Sequence, residues 1–333
     1  MSPIALKNSD FLLTLICLSL SNYCYTAQFT RQKASYLFAP GLTSYETQIA
    51  RYIPEYTAIT GEKISCKNGI HAINEPITIC KFPEIKLQST KNRFKNPVDW
   101  TISKLMILRN ILCGVEITNT NPDAKYTING HTAAISKINL AQEADIEALS
   151  KSYNKHITEY PDSDVTGFAT SRGAATTFSA IAQNKLPLVK IVILEGIFDS
   201  IPHLLKHKFK LTYKMVRSII TKVTSYKNNG ISPDQSVSTY PKDLPTLLVS
   251  SKKDEVVPHC CTKSLYRKLK DRGCKVHFLV LENAGHSGYS THNQQDKDLY
   301  EQVLHAFYKH YDQAHDPRLA ELGSAAWQKI LNQ

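Results

Sequence analysis

Short apolar runs alternate with stretches of helical spacing along most of the chain. A run of about four to eight aliphatic and β-branched residues bounded by turn formers reads as a strand buried on both faces. Tyr36–Pro40, Ile77–Phe82, Val165–Thr170, Val189–Leu194, Thr246–Ser251 and Val276–Leu281 are such runs. Between them, helical spacing covers Ser44–Ile53, Trp100–Leu112, Leu140–Glu159, Gly173–Gln183, Thr262–Arg272 and Asp298–Tyr311. Strands alternating with helices predict an α/β domain, a mostly parallel sheet with helices on both faces. Gly61–Asn74 and Thr118–Ala133 are rich in Asn, Thr and Gly and are expected to be loops.

Three segments depart from this rhythm. Phe11–Leu20 reads FLLTLICLSL behind Lys7 and is followed by SNYCYTAQ. That is the shape of a secretory signal peptide, although Tyr25 departs from the small-residue rule near the cleavage site. Removal of residues 1–27 would leave 28–333 as an exported domain, periplasmic or secreted; an uncleaved segment would anchor the chain to a membrane. Ser200–Pro233 holds seven lysines and arginines and no acidic residue, with Leu205, Phe209, Val216, Ile219, Ile220 and Val223 at helical spacing. It is expected to form one basic amphipathic helix. Asp312–Gln333 is expected to be a single further helix.

Composition narrows the class. Hydrophobic residues make up 42% and charged residues 21%, which is globular composition. No apolar run reaches the roughly 18–20 residues of a membrane span, which excludes a multi-span transporter. The net charge is +11, with 40 Lys+Arg against 29 Asp+Glu. Such a chain suits an acidic substrate or peripheral contact with an anionic membrane or cell-envelope polymer. No zinc-finger, helix-turn-helix or RNP pattern accompanies the charge, so nucleic acid is not an expected partner. No nucleotide-binding glycine motif is present, and neither a cofactor nor a metal is expected. Of the eight cysteines, Cys66 and Cys80 bracket a turn-like stretch and are the expected bridge in an exported chain.

The chemistry concentrates in three places. Asp164–Ala182 runs from a β-prone stretch into Ala169-Thr170-Ser171-Arg172-Gly173 and then a small-residue helix. A serine on a sharp strand-to-helix turn presents its hydroxyl at the carboxyl edge of the sheet, with the next backbone N–H aimed at a developing oxyanion. The run TLLVS leads to SKKDEVVP with Asp254, and VHFLVL leads to ENAGHSGYS with His286. Ser, Asp and His thus follow in order, each just beyond a predicted strand, where sites in open α/β sheets lie. Asp199, after VKIVILEG, is the competing acid. Cys260 and Cys261 sit on no such elbow and lack the paired spacing of a zinc site.

These segments, ATSRG, LPTLLVSSKKDEVVP and LENAGHSGY, resemble the α/β-hydrolase superfamily, in particular its dienelactone hydrolase and prolyl oligopeptidase-like branch, over roughly Tyr36–Tyr311. The resemblance implies an α/β-hydrolase fold with a small helical lid at about 200–233. It implies Ser171 as nucleophile, His286 as base and then acid, and Asp254 as the group orienting the imidazole. It places oxyanion N–H groups at Arg172 and at Leu42 in the FAPGLTSY loop, where Pro40 replaces the histidine of many relatives. Alanine at the first elbow position departs from the usual glycine. The expected activity is metal-free hydrolysis of a carboxylic ester. The alternatives are a peptidase or acyltransferase of the same fold, or a degenerate hydrolase that binds an anionic partner through its basic segment.

Overall fold

The long apolar runs become strands because both faces of the sheet are covered. The computed structural model describes residues 34–41, 55–57, 63–65, 77–80, 140–286, 289–290 and 293–333. The strands are β1 (Ala34–Ala39), β2 (Glu55–Thr57), β3 (Lys63–Ser65), β4 (Ile77–Ile79), β5 (Asp164–Thr170), β6 (Val189–Glu195), β7 (Thr246–Ser251) and β8 (Val276–Leu281). Six of them form one sheet ordered β4-β1-β5-β6-β7-β8, every neighbouring pair parallel. β2 and β3 pair antiparallel on their own, so Lys63–Ser65 is a strand within the stretch expected to be a loop.

The helices are α1 (Glu143–Glu159), α2 (Arg172–Ala182), α3 (Ile201–Phe209), α4 (Tyr213–Val223), α5 (Pro233–Ser236), α6 (His259–Asp271), α7 (Gln294–His310), α8 (Pro317–Leu322) and α9 (Ser324–Leu331). Alternation along the strands sends side chains into two cores. Ile191 and Ile193 join Phe38, Phe168, Leu247 and Val249 on one face, under Tyr300, Phe307 and Trp327 of α7 and α9. Val192 and Leu194 join Leu37, Val165 and Leu248 on the other, under Leu149, Phe178 and Leu265 of α1, α2 and α6. This is the α/β-hydrolase architecture the resemblance implied.

Three expectations are corrected. The basic segment is two helices, not one. The chain breaks at a 3-10 turn, Lys210–Thr212, where Lys210 adopts φ 35°. Leu204 and Leu205 of α3 and Val216 and Ile220 of α4 all reach one core. The tail is likewise two helices meeting at Gly323, where any side chain would strike the Gln302 carbonyl. Cys80 is a buried free thiol, so the Cys66–Cys80 bridge is not formed; burial pushes its pKa up to about 12. Cys260, Cys261 and Cys274 are free as well.

Residues from Ala34 to Gln333 make up one compact unit. The signal segment, Leu42, Cys66 and the helices expected over Ser44–Ile53 and Trp100–Leu112 lie outside the described residues. Among the described residues no helix is long and apolar enough to cross a membrane.

Candidate active site

Ser171 occupies the turn between β5 and α2 at φ 53° and ψ −118°. For a side-chain-bearing residue this backbone is strained, at a typical cost of about 1–3 kcal/mol, and persists only where its surroundings dictate it. Here they do. The Ser171 N–H donates to the Glu195 carbonyl at 2.8 Å, and the Ser171 carbonyl accepts from the Ala175 N–H at 3.1 Å. Two residues on, a Cβ at Gly173 would lie 2.1 Å from the Ala39 carbonyl oxygen, so only glycine lets α2 start this close to the end of β1. Ser171 retains 8% of its surface, enough to be approached from solvent.

Arg172 opens α2, where a first-turn N–H has no intrahelical acceptor and the helix dipole favours negative charge. Its side chain is buried and engaged elsewhere: Nε donates to Asp145 Oδ2 at 2.7 Å, and Nη2 donates to Asp145 Oδ1. Asp145, on α1, also accepts from the Ala141 N–H at 2.8 Å.

Asp254 lies on the loop after β7 and is buried. Its Oδ1 accepts from the Val256 and Val257 N–H groups at 2.9 and 2.8 Å, and its Oδ2 faces His286 Nδ1 at 2.7 Å. Burial alone would raise the carboxyl pKa. The adjacent His286, the Tyr289 hydroxyl and the Val257 N–H outweigh it and hold the group below the usual carboxylate range. His286 comes from the loop after β8. That loop is tied down by Asp296 at the start of α7, which accepts from the Asn283 and Ala284 N–H groups at 2.7 and 2.6 Å.

The two halves of the site meet at Glu195–Gly196, the end of β6. Glu195 holds the Ser171 N–H, and a Cβ on Gly196, which has φ 53°, would lie 3.2 Å from His286 Cε1 and 3.0 Å from Tyr289 Oη. The imidazole therefore lies over the residue next to the one that holds the serine. Among the described residues no hydrogen bond joins Ser171 Oγ to the His286 ring; such bonds often tighten only once substrate is present.

Asp199 does not compete for His286. Its Oδ2 faces His203 Nδ1 at 2.7 Å, and its Oδ1 accepts from the Ser200 N–H at 2.8 Å. Cys261 is no nucleophile either, because burial and the nearby Asp199 and Cys260 push its thiol well above the usual range. Sequence reading passed over Tyr289, Glu195, Gly196 and Asp296. Tyr289 stood within the quoted AGHSGY stretch, and Gly196 follows directly on a strand; nothing local marks Glu195 or Asp296.

A parallel sheet covered on both faces, with a strained serine elbow after a central strand, is the arrangement that the resemblance to α/β hydrolases implied. Comparison with known proteins gives one partial family match and several distant structural likenesses. Residues 160–314 match the model of the prolyl oligopeptidase family, Peptidase_S9. No curated protein matches the chain. Among solved structures, the chain is similar to an acylaminoacyl peptidase of Pyrococcus horikoshii, with 16% identity, 55% of this chain, 30% of that one and a TM-score of 0.43. A puromycin-hydrolyzing peptidase of Mycobacterium tuberculosis shares 13% identity over 88% of this chain and 36% of that one, with a TM-score of 0.49. TT1662 of Thermus thermophilus shares 12% over 86% and 92%, with a TM-score of 0.43. The chain spans about a third of the length of the acylaminoacyl peptidases it matches.

Proposed function

We propose that the chain hydrolyses a carboxylic ester through an acyl-enzyme. The observation that carries this reading is the strained Ser171 elbow, tied through Glu195–Gly196 to a His286 ring that is itself oriented by buried Asp254. Ser171 Oγ attacks the carbonyl carbon as His286 Nε2 takes its proton, leaving an oxyanion before the Arg172 N–H, with Leu42 as the expected second donor. The intermediate collapses, and the proton on His286 goes to the departing alkoxide, which leaves as the alcohol. Water, deprotonated by the same nitrogen, then attacks the acyl-serine and releases the acid. Asp254 holds Nδ1–H throughout, so that Nε2 is the nitrogen able to accept.

Fluorophosphonate labelling tests the mechanism without a guess at substrate. Covalent labelling of wild type, lost in folded Ser171→Ala and His286→Ala, is the expected result. A folded wild type that does not label would overturn the proposal.

One observation favours peptide cleavage in the same site, the match of residues 160–314 to the prolyl oligopeptidase family. Turnover of N-acyl-aminoacyl anilides at rates near those of the corresponding esters would decide for it. Export belongs to the proposal through Phe11–Leu20 alone; N-terminal sequencing of the protein from its host tests it, and an intact Met1 start would reject cleavage.

A further inference from the structure

Away from Ser171, one cluster gathers soft ligands from two distant parts of the chain. His203 on α3 and the adjacent Cys260 and Cys261 on α6 bring their ligand atoms within 4.8 Å of one another. Two thiols and an imidazole are the donor set of a borderline-soft d10 cation. We propose that His203, Cys260 and Cys261 form a zinc-binding site, with Asp199 orienting the histidine.

Four features support it. Asp199 Oδ2 faces His203 Nδ1 at 2.7 Å, which leaves Nε2 as the nitrogen offered to a metal; a carboxylate behind a ligating imidazole is the usual outer-shell partner. Asp199 is itself buried and held by the Ser200 N–H at 2.8 Å. Thr262 Oγ1 donates to the Ile197 carbonyl at 2.7 Å, so the first turn of α6 is pinned to the segment that carries Asp199. Burial is graded, with Cys261 enclosed and Cys260 and His203 half-buried, which gives the ion a way in and room for water as a fourth ligand.

Binding displaces one proton from each thiol to solvent, and the Zn²⁺ charge is balanced by two thiolates. The ion would tie α3 to α6 through Cys260 and Cys261, six and seven residues after Asp254 in the chain. His203 and His207 also stand one helical turn apart, a ligand spacing visible in the sequence, yet only His203 joins the cluster.

The test uses the full chain, stripped with a chelator, kept reduced, and titrated with Zn²⁺ against a chromophoric indicator, with Co²⁺ as a spectroscopic substitute. One equivalent is expected to bind, with thiolate-to-cobalt charge transfer and a raised thermal midpoint. Cys260→Ser and His203→Gln should each weaken binding at least about tenfold, and Asp199→Asn by about 10–100-fold with the stoichiometry kept. Cys274→Ser, a free thiol outside the cluster, should leave binding unchanged. Circular dichroism checks that each variant is folded, and the half-buried positions of Cys260 and His203 make that test practicable. A folded wild type that binds no Zn²⁺, or Cys260→Ser and His203→Gln variants that bind it as tightly as wild type, would overturn the site. So would recovery of Cys260 and Cys261 as a vicinal disulfide from protein purified without reductant.

Discussion

Tyr289 donates its phenolic proton to Asp254 Oδ2 at 2.6 Å, the same oxygen that faces His286 Nδ1 at 2.7 Å. The other oxygen takes two backbone N–H groups. The carboxylate is thus fixed from both ends, and Tyr289 shares in aiming it. Hydrogen bonds to charged groups contribute about 1.5–3 kcal/mol, and part of that is lost to orientation here. Tyr289→Phe is expected to lower kcat/KM roughly tenfold, while Asp254→Asn lowers kcat by about 10⁴. Ester turnover measured with both variants checks the order; a Tyr289→Phe enzyme with unaltered kcat would reduce the tyrosine to packing.

The Asp145–Arg172 pair is buried on both sides, with side-chain exposures of 0% and 6%. Removing one member takes the main partner from an enclosed charge, and breaking a buried pair in this way costs about 3–5 kcal/mol. Asp145→Ala should lose that much in urea unfolding. Replacing both residues by apolar ones of similar volume should recover most of it.

Gly173→Ala should be worse than its size suggests. The added methyl would meet the backbone of β1, not the end of a flexible side chain, so the helix or the strand must shift. Overpacking of this kind costs about 1–3 kcal/mol and sometimes more. A lowered thermal midpoint together with weakened fluorophosphonate labelling is expected; an unchanged midpoint would show that β1 can move aside.

Stability should fall on mild acidification. His156 is fully buried between Ser35 Oγ at 2.7 Å and Thr78 Oγ1 at 2.8 Å, and burial lowers its pKa to about 4. His277, against Tyr311 Oη at 2.7 Å, is lowered to about 4 by burial, His310 and Lys270. Both stay neutral in the folded chain, whereas the unfolded chain takes up protons below about pH 6.5. Their contribution is therefore complete above that pH and declines as pH falls from there toward about 4. For His156 the slope is about 1.4 kcal/mol per pH unit. Denaturant titrations at pH 7, 6 and 5 should show it, and His156→Gln should flatten it.

Leu211 in the turn between α3 and α4 and Met215 in the first turn of α4 are exposed, at 98% and 60%, among Lys208, Lys210 and Lys214. Apolar side chains ringed by lysines suit the interface of an anionic bilayer. Cosedimentation with phosphatidylserine vesicles is expected, weakened by salt and by Leu211→Ser. Equal binding to neutral vesicles would reject the charge-led reading.

Much of this architecture is legible from local pattern, because strands buried on both faces write themselves as unbroken apolar runs. Ser171, Asp254 and His286 stand just beyond such runs, and the structure has them there. What local pattern does not carry is the pairing of distant segments. Apolar spacing continues across Phe209–Val216, yet the helix breaks at Lys210, and apolar residues from both sides of the break share one core. Asp199 is the competing acid in the sequence, and only the structure shows that His203 occupies it. The His203–Cys260–Cys261 cluster joins residues that no spacing rule connects, and Cys80 lies under α1 with a free thiol, although its spacing from Cys66 suggested a bridge.

The close seat of Gly173 on Ala39 also orders events in time. β5, β6, β7 and β8 are neighbours both in the chain and in the sheet, each reached by one local crossover. β1 comes to β5 from far upstream, across the sequence separation from Ala39 to Asp164, and bringing such distant segments together is entropically costly. The sheet's carboxyl-half strands are therefore expected to assemble first, with the elbow held at Glu195 but lacking the seat of Gly173 on Ala39 until β1 docks. In refolding, labelling competence should return after most helical signal has recovered; simultaneous return would refute that order. A half-folded chain would then be chemically silent, its serine unarmed until the far end of the sheet arrives.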